Sequence, residues 1–307
     1  MRKALVFGVG QEMGSNLCHA LVQHDWEVVG IVKNSDVNAP ITGNLTLVEL
    51  ARNDLDFLYQ LAEDVDAIFF HQQETDIYNR DLIFQLKQII ALAEHFHLQL
   101  IITTNKYNIN PNSRPSLAFW NNKYPVKVGI SPRLTNRLRQ AEKAGAKILV
   151  LCFGHTLSCS HNTCYLGMLI KETEHKLIIQ SPSPRALAHH WTYLPDLAEN
   201  LVQLVTHKQQ DFAAFDMIYY PGHKASMNEI ARCLELSTGK PVAITRLHWS
   251  AMKLIALFSP LFRGFLKMRS LWQQGFKLPN NTFNGISNSK LIHTPLELAL
   301  QRCWQKK

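Results

Sequence analysis

The sequence predicts an α/β fold in which a doubly wound parallel sheet carries helices on both faces, followed by a smaller, mostly helical C-terminal lobe. Three observations predict it. Apolar runs of strand length alternate with segments of helical periodicity over roughly the first 150 residues. A glycine-rich turn separates the first strand from the first helix. Of the 307 residues, 46% are apolar and 18% charged, enough to bury a large core and too few charges for a disordered or fibrous chain.

Each element has its own signal. Ala4 to Phe7 is an apolar run that stops at glycines, and Leu17, Cys18 and Leu21 recur at helical spacing between Ser15 and His24. Glu27 to Val32 reads as the second strand, Leu45 to Leu50 as the third and Ala67 to Phe70 as the fourth, with a helix at Leu55 to Ala62. Asp81 to His95 is helical, Leu98 to Thr103 a strand, Thr135 to Ala144 helical and Lys147 to Phe153 a strand. Beyond Cys152 the alternation loosens into loops rich in Ser, Cys, His and Pro as far as Pro184. It resumes with a helix from Pro195 to Val205, a strand from Phe215 to Tyr220 and a helix from Met227 to Ser237 that Gly239 ends. From Ser250 to Gly275 a broken amphipathic helical region, interrupted at Pro260, needs something to cover its apolar face.

The charge is uneven. Lysine and arginine number 32 against 24 acids, a formal +8. Ten of those cations lie between Arg246 and Lys307 beside a single acid, Glu297, while the first 245 residues hold 22 basic and 23 acidic side chains. A phosphate-tracking surface would need cations along the sheet domain as well, so no nucleic-acid partner is expected. The basic lobe points instead to an anionic small-molecule substrate or, as a weaker reading, to contact with an acidic membrane surface. Six cysteines in a chain of this length, with no leader-like segment and no run long enough to span a membrane, fit a reducing cytoplasm.

Gly8-Val-Gly-Gln-Glu-Met-Gly14 stands between the first strand and first helix, where backbone amides and a helix N-terminus can meet a pyrophosphate. Gly8, Gly10, Gln11, Met13 and Gly14 are therefore the candidate cofactor contacts, although Glu12 puts a carboxylate nearby. The second strand ends in Val32-Lys33-Asn34 where an acid often holds a ribose 2′-hydroxyl. Lys33 suits a 2′-phosphate, so NADP is expected ahead of NAD.

Several segments together resemble the extended, atypical short-chain dehydrogenase/reductases of the NAD-dependent epimerase/dehydratase group. The glycine turn is one. Asp64-Val-Asp-Ala-Ile-Phe69 is similar to the group's fourth strand, Trp191-Thr-Tyr-Leu-Pro-Asp-Leu-Ala198 to its Y-x-x-DLA signature, and His293-Thr-Pro-Leu-Glu-Leu-Ala-Leu300 to its closing TPLEEAL. Pro260 to Trp272 resembles a stretch of the smaller lobe in bacterial members. The resemblance implies a Rossmann domain over residues 1–160, with 188–220 returning to it, and a substrate-covering lobe from 161–187 and 221–307. It also implies NAD(P) binding lined by Phe70 and Thr103, and leaves a homodimer open.

The group's chemistry uses a tyrosine, a lysine four residues later and a Ser/Thr beyond the fifth strand. Val128-Gly-Ile-Ser-Pro132 stands where the group has YGxSK, so Val128 replaces the tyrosine and Pro132 the lysine. The remaining catalytic candidates are Thr103 and Thr104, to orient a substrate oxygen, and Tyr107 as the acid, with Lys106 or Arg133 supplying a positive field. Cys152, His155, Cys159, His161 and Cys164 are zinc-ligand types, but their spacing matches no common finger and no metal site is expected. Asp196 is expected to cap its helix. The expected function is an oxidoreductase of this type with an atypical site. The alternative is a non-catalytic descendant, sensing a nucleotide or binding a partner after losing the Tyr/Lys pair.

Overall fold

The first strand is buried on both sides, Ala4 and Val6 toward one helical layer and Leu5 and Phe7 toward the other, the condition a central strand of a parallel sheet must meet. The computed structural model describes residues 1–32, 43–50, 54–72, 80–104, 107–109, 126–128, 132–157, 165–207, 214–258, 262, 265–266, 269–274 and 291–305. The elements through the first half are β1 (Arg2–Phe7), α1 (Glu12–Gln23), β2 (Trp26–Val32), β3 (Leu45–Glu49), α2 (Leu55–Ala62), β4 (Ala67–Gln72), α3 (Arg80–His95) and β5 (Gln99–Thr104). A short ribbon, β6 (Tyr107–Ile109) and β7 (Val126–Val128), precedes α4 (Pro132–Lys143) and β8 (Lys147–Cys152).

Seven strands form one parallel sheet in the order β13-β8-β5-β4-β1-β2-β3, where β13 is Phe215–Tyr219. The expected doubly wound sheet is borne out. On one face α1 and α6 (Leu194–His207) cover Ala4, Val6, Val28, Phe69 and Leu149; on the other α2, α3 and α4 cover Leu5, Ile31, Ile68, Leu100 and Val150. Trp26, 1% exposed, fills the first layer and donates its indole N–H to Thr206 Oγ1 at 3.1 Å.

A third core gathers around a different set of elements. Strands stand where the sequence reads as loop, β9 (His155–Thr156), β10 (Ile170–Glu172) and β11 (Leu177–Ser181), with α5 (Tyr165–Leu169) among them, and β12 (Ala188–Thr192) follows just beyond that loop. These strands are short and carry polar inward residues such as Ser181, which hides the alternation that marks a strand. With β14 (His223–Ser226) and β15 (Val242–Arg246) they form two three-stranded sheets, β10-β11-β15 and β14-β12-β9. The helix expected from Met227 is α7 (Met227–Thr238), the broken helical region expected from Ser250 holds α8 (Trp249–Phe258) and α9 (Arg269–Gln274), and a further helix, α10 (Leu296–Gln305), follows. A capping box between Ser226 and Glu229 starts α7, and Gly239 at φ +69° ends it.

The middle of this core is aromatic and holds two histidines. His155 stacks on Trp272 at 3.9 Å, and His189 lies 5.1 Å from the same ring. Burial, helped by neighbouring His190, pushes His189 down to about 4 from its ordinary 6.5. Its folded value lies below its unfolded one, so the unfolded chain binds more protons between those limits and stability falls as pH drops through that window. His189→Phe removes the penalty. Its stability advantage over the wild type, read by urea unfolding, is expected to grow on the order of 2 kcal/mol from pH 7 to pH 5, and an advantage that stays constant would contradict this.

Candidate functional site

The C-terminal edge of a parallel sheet is where its loops converge and where helix N-termini face outward. At that edge β1 runs into Gly8, whose φ of +83° is left-handed and favours a residue without a Cβ. The Gln11 N–H donates to the Gly8 carbonyl at 2.9 Å and closes the turn. A Cβ on Gly14 would stand 2.1 Å from that same carbonyl oxygen, so α1 can approach β1 this closely only with glycine there.

Gln11 is the N-cap of α1 but makes no side-chain cap bond. The first-turn amides are therefore not served by their cap and are oriented to receive an external acceptor. The Gln11 amide oxygen is itself buried with no hydrogen-bond partner among the described residues. Turning the amide over would present its NH2 group instead. Gly10 is exposed beside it. These features fit a pyrophosphate: a Cβ-free turn, uncapped amides and an orphaned amide side chain. Met13, at 0% exposure, lies in the core and offers only its backbone.

Phe70 is 1% exposed and packs in the layer below α2 and α3, so its side chain is core rather than lining. Lys33 lies outside the described residues. Thr103 and Thr104 end β5 as expected, yet both are buried, at 1% and 0%. Thr103 faces His71 across the β4–β5 ladder, with His71 Nδ1 at 3.0 Å from its hydroxyl and 3.2 Å from its carbonyl oxygen. His71 is 3% exposed and stacks on Phe153 at 6.0 Å. Sequence reasoning missed it. Its signal was a polar residue closing the apolar run Ala67 to Phe70 at the functional end of a parallel strand.

Tyr107 opens β6, which pairs antiparallel with β7 so that Tyr107 is in register with Val128. Tyr107 is thus paired directly with the position at which the catalytic tyrosine of the resembled group is replaced. Of the zinc-type residues, Cys159, His161 and Cys164 lie outside the described residues. Cys152 is fully buried and its thiol is pushed up to about 12 by burial, as is that of Cys18, so neither is a thiolate at neutral pH. Asp196 departs from the expected cap: it lies inside the first turn of α6 and accepts hydrogen bonds from the Thr294 N–H (2.6 Å) and hydroxyl (2.7 Å). An acid near a helix N-terminus suggested a local partner, and the actual partner is 98 residues away.

A cavity of about 630 Å³ opens between the ends of β11 and β15 and the start of α8, lined by Ser181, Ser183, Arg185, Thr245, Arg246 and Trp249 among others. Arg185 and Arg246 are exposed, and among the described residues neither has an ion-pair partner. Two unpaired guanidiniums in one cavity make it attractive to an anion.

The family model described as NmrA-like matches residues 2–274. The chain belongs to the NmrA-like family. Its fold is shared by leucoanthocyanidin reductase from Vitis vinifera, solved as a binary complex with NADPH, at 11% identity and a TM-score of 0.66 over 98% of both chains. It is shared too by a nucleoside-diphosphate-sugar epimerase from Staphylococcus aureus, at 14% identity and TM-score 0.65 over 98% of this chain and all of that one. The Bordetella bronchiseptica enzyme WbmH, solved with NAD+, aligns at 16% identity and TM-score 0.63 over 100% of this NmrA-like chain and 99% of its own. Comparison with curated proteins finds none similar in sequence. The resemblance read from the motifs is borne out for family and fold. Among the described residues, no helix is long and apolar enough to cross a membrane.

The Gly8–Gly14 contact yields a direct test. Gly14→Ala is expected to lower the unfolding free energy by about 1–3 kcal/mol through overpacking, while exposed Ser15→Ala in the same helix changes it by under about 0.5 kcal/mol. Denaturant unfolding checks both, and equal stability for the two variants would contradict the contact.

Proposed function

We propose that this NmrA-like chain is an NAD(P)(H)-dependent oxidoreductase of the reductase or epimerase kind, acting on a small anionic substrate. The observation that carries the reading is the β1–α1 turn, where left-handed Gly8, Cβ-free Gly14 and the uncapped N-terminus of α1 make a receptor for a pyrophosphate. That solved proteins of the same fold hold NADPH or NAD+ supports it. Gly8, Gly10, Gln11 and the backbone of Met13 and Gly14 would hold the diphosphate, and Lys33 a 2′-phosphate. The bound cofactor supplies or accepts a hydride at a carbonyl or alcohol carbon.

The remaining roles fall to the chain's own residues. The substrate oxygen must be held and exchange a proton as the hydride moves. Tyr107 is the proton donor in this reading. The backbone register that pairs Tyr107 with Val128 supports it, since residues directly paired across an antiparallel ribbon share a face, with Cα atoms about 4.5–5.5 Å apart. The end of β5 orients the substrate, with His71 fixing Thr103. Arg185 and Arg246 neutralise the anionic end of the substrate in the cavity between the ends of β11 and β15, which gives the basic C-terminal lobe a task. Buried thiols at Cys18 and Cys152 suit a reducing, cytoplasmic setting. Val128 and Pro132, standing where a Tyr/Lys pair would act, favour the second reading, a protein that binds the nucleotide as a sensor without turnover.

NADPH oxidation followed over a panel of phosphate- and carboxylate-bearing ketones and aldehydes separates the two. The first reading expects a turnover that Tyr107→Phe lowers by about 100-fold or more, with NADPH affinity unchanged in a fluorescence titration. Full activity in Tyr107→Phe removes the proposed acid, and tight NADPH binding with no turnover across the panel supports the sensor.

A further inference from the structure

Three distant segments meet at the start of α6. Asp196, in its first turn, is 5% exposed; His223 opens β14 at 8%; and His293, on the surface, precedes α10. One ligand-type atom from each lies within 4.8 Å of the other two. The imidazole centroids are 4.3 Å apart with the rings inclined at 39°. Thr294 fixes the carboxylate from behind through its N–H and hydroxyl.

The simplest alternative is a cluster of Asp–His hydrogen bonds. It does not describe the geometry, because among the described residues neither imidazole has a hydrogen-bond partner, and the Asp196 carboxylate takes its bonds from Thr294. Two imidazoles and a carboxylate converge without bonding one another, while an outer group orients the carboxylate, which is the arrangement of a metal ligand set and its supporting shell. We propose that Asp196, His223 and His293 bind a divalent transition-metal ion, zinc best matching the ligand types, with water as the fourth ligand. Tetrahedral zinc with such ligands sets them about 3.3 Å apart, so the three atoms need to close by roughly an ångström, a movement the exposed His293 side chain can supply. The ion would cross-link α6, β14 and the segment leading into α10, fastening the last helix to the sheet domain. This site is separate from the glycine turn, and it stands or falls independently of the cofactor.

The test uses the full-length, tag-free protein, stripped with chelator and dialysed against Zn2+, with metal content read by mass spectrometry. Co2+ serves as a spectroscopic probe. The expected result is one ion per chain, a visible absorption of tetrahedral Co2+, and a loss of Zn2+ affinity of at least about 10-fold in His293→Ala and His223→Asn. Thr294→Val, acting through the carboxylate, is expected to weaken binding by about 10- to 100-fold. Far-UV circular dichroism and NADPH titration of each variant report the fold separately, and because His293 is exposed, His293→Ala decides the matter if His223→Asn fails to fold. Less than one ion per chain in the wild type, or a full ion retained in His293→Ala, would overturn the assignment.

Discussion

Gly14 of α1 lies against the Gly8 carbonyl with no room for a Cβ between them, and this contact sets where the first helix sits on the sheet. From that position α1 packs against α6 across one face. The start of α6 in turn holds the C-terminal segment: Asp196 receives Thr294, and Asn200 accepts from the Ile292 N–H at 2.9 Å while donating to its carbonyl at 2.8 Å. Beyond that tether, α10 packs on α7 in the third core. The turn that would receive a pyrophosphate is therefore also the first link in the chain of contacts that leads to the third core. A shift at Gly14 is felt in both places.

The sheet was legible because its strands are buried on both faces and read as unbroken apolar runs, such as Ala4 to Phe7 and Ala67 to Phe70. Nearly all its helices follow from apolar periodicity and caps. What the sequence obscured were short strands whose inward residues are polar or histidine, as at Ser181 and His189, because period-2 alternation needs apolar inward positions to be visible. At the site, the glycines were legible because backbone geometry demands them. His71 was not, since a lone histidine gains its meaning only from the strand register that pairs it with Thr103. The Asp196–Thr294 bond and the pairing of Tyr107 with Val128 are likewise products of tertiary register, and Asp196 read locally looked like a cap. At Phe70 the strand end was legible, and the commitment of its side chain to the core was not.

The functional reading joins two halves of unequal kind. The cofactor half rests on backbone geometry that few other ligands would require. The substrate half rests on charge: Arg185 and Arg246 exposed in one cavity, set in a lobe that carries most of the chain's excess cations. The ribbon pairs Tyr107 with Val128, the position where the resembled group carries its tyrosine. A catalytic Tyr107 would need a cation from another segment to activate it, because Pro132 stands where that group has its lysine.

Hydrogen–deuterium exchange with and without saturating NADPH tests the central claim most directly, because it reads where on the chain the nucleotide acts. Slowed exchange is predicted in the peptide spanning Val9 to Asn16 and at the end of β5 around Thr103, with the β10–β11 hairpin unchanged. Unaltered exchange at the Gly8–Gly14 turn under saturating cofactor, or protection confined to the second lobe, would contradict it.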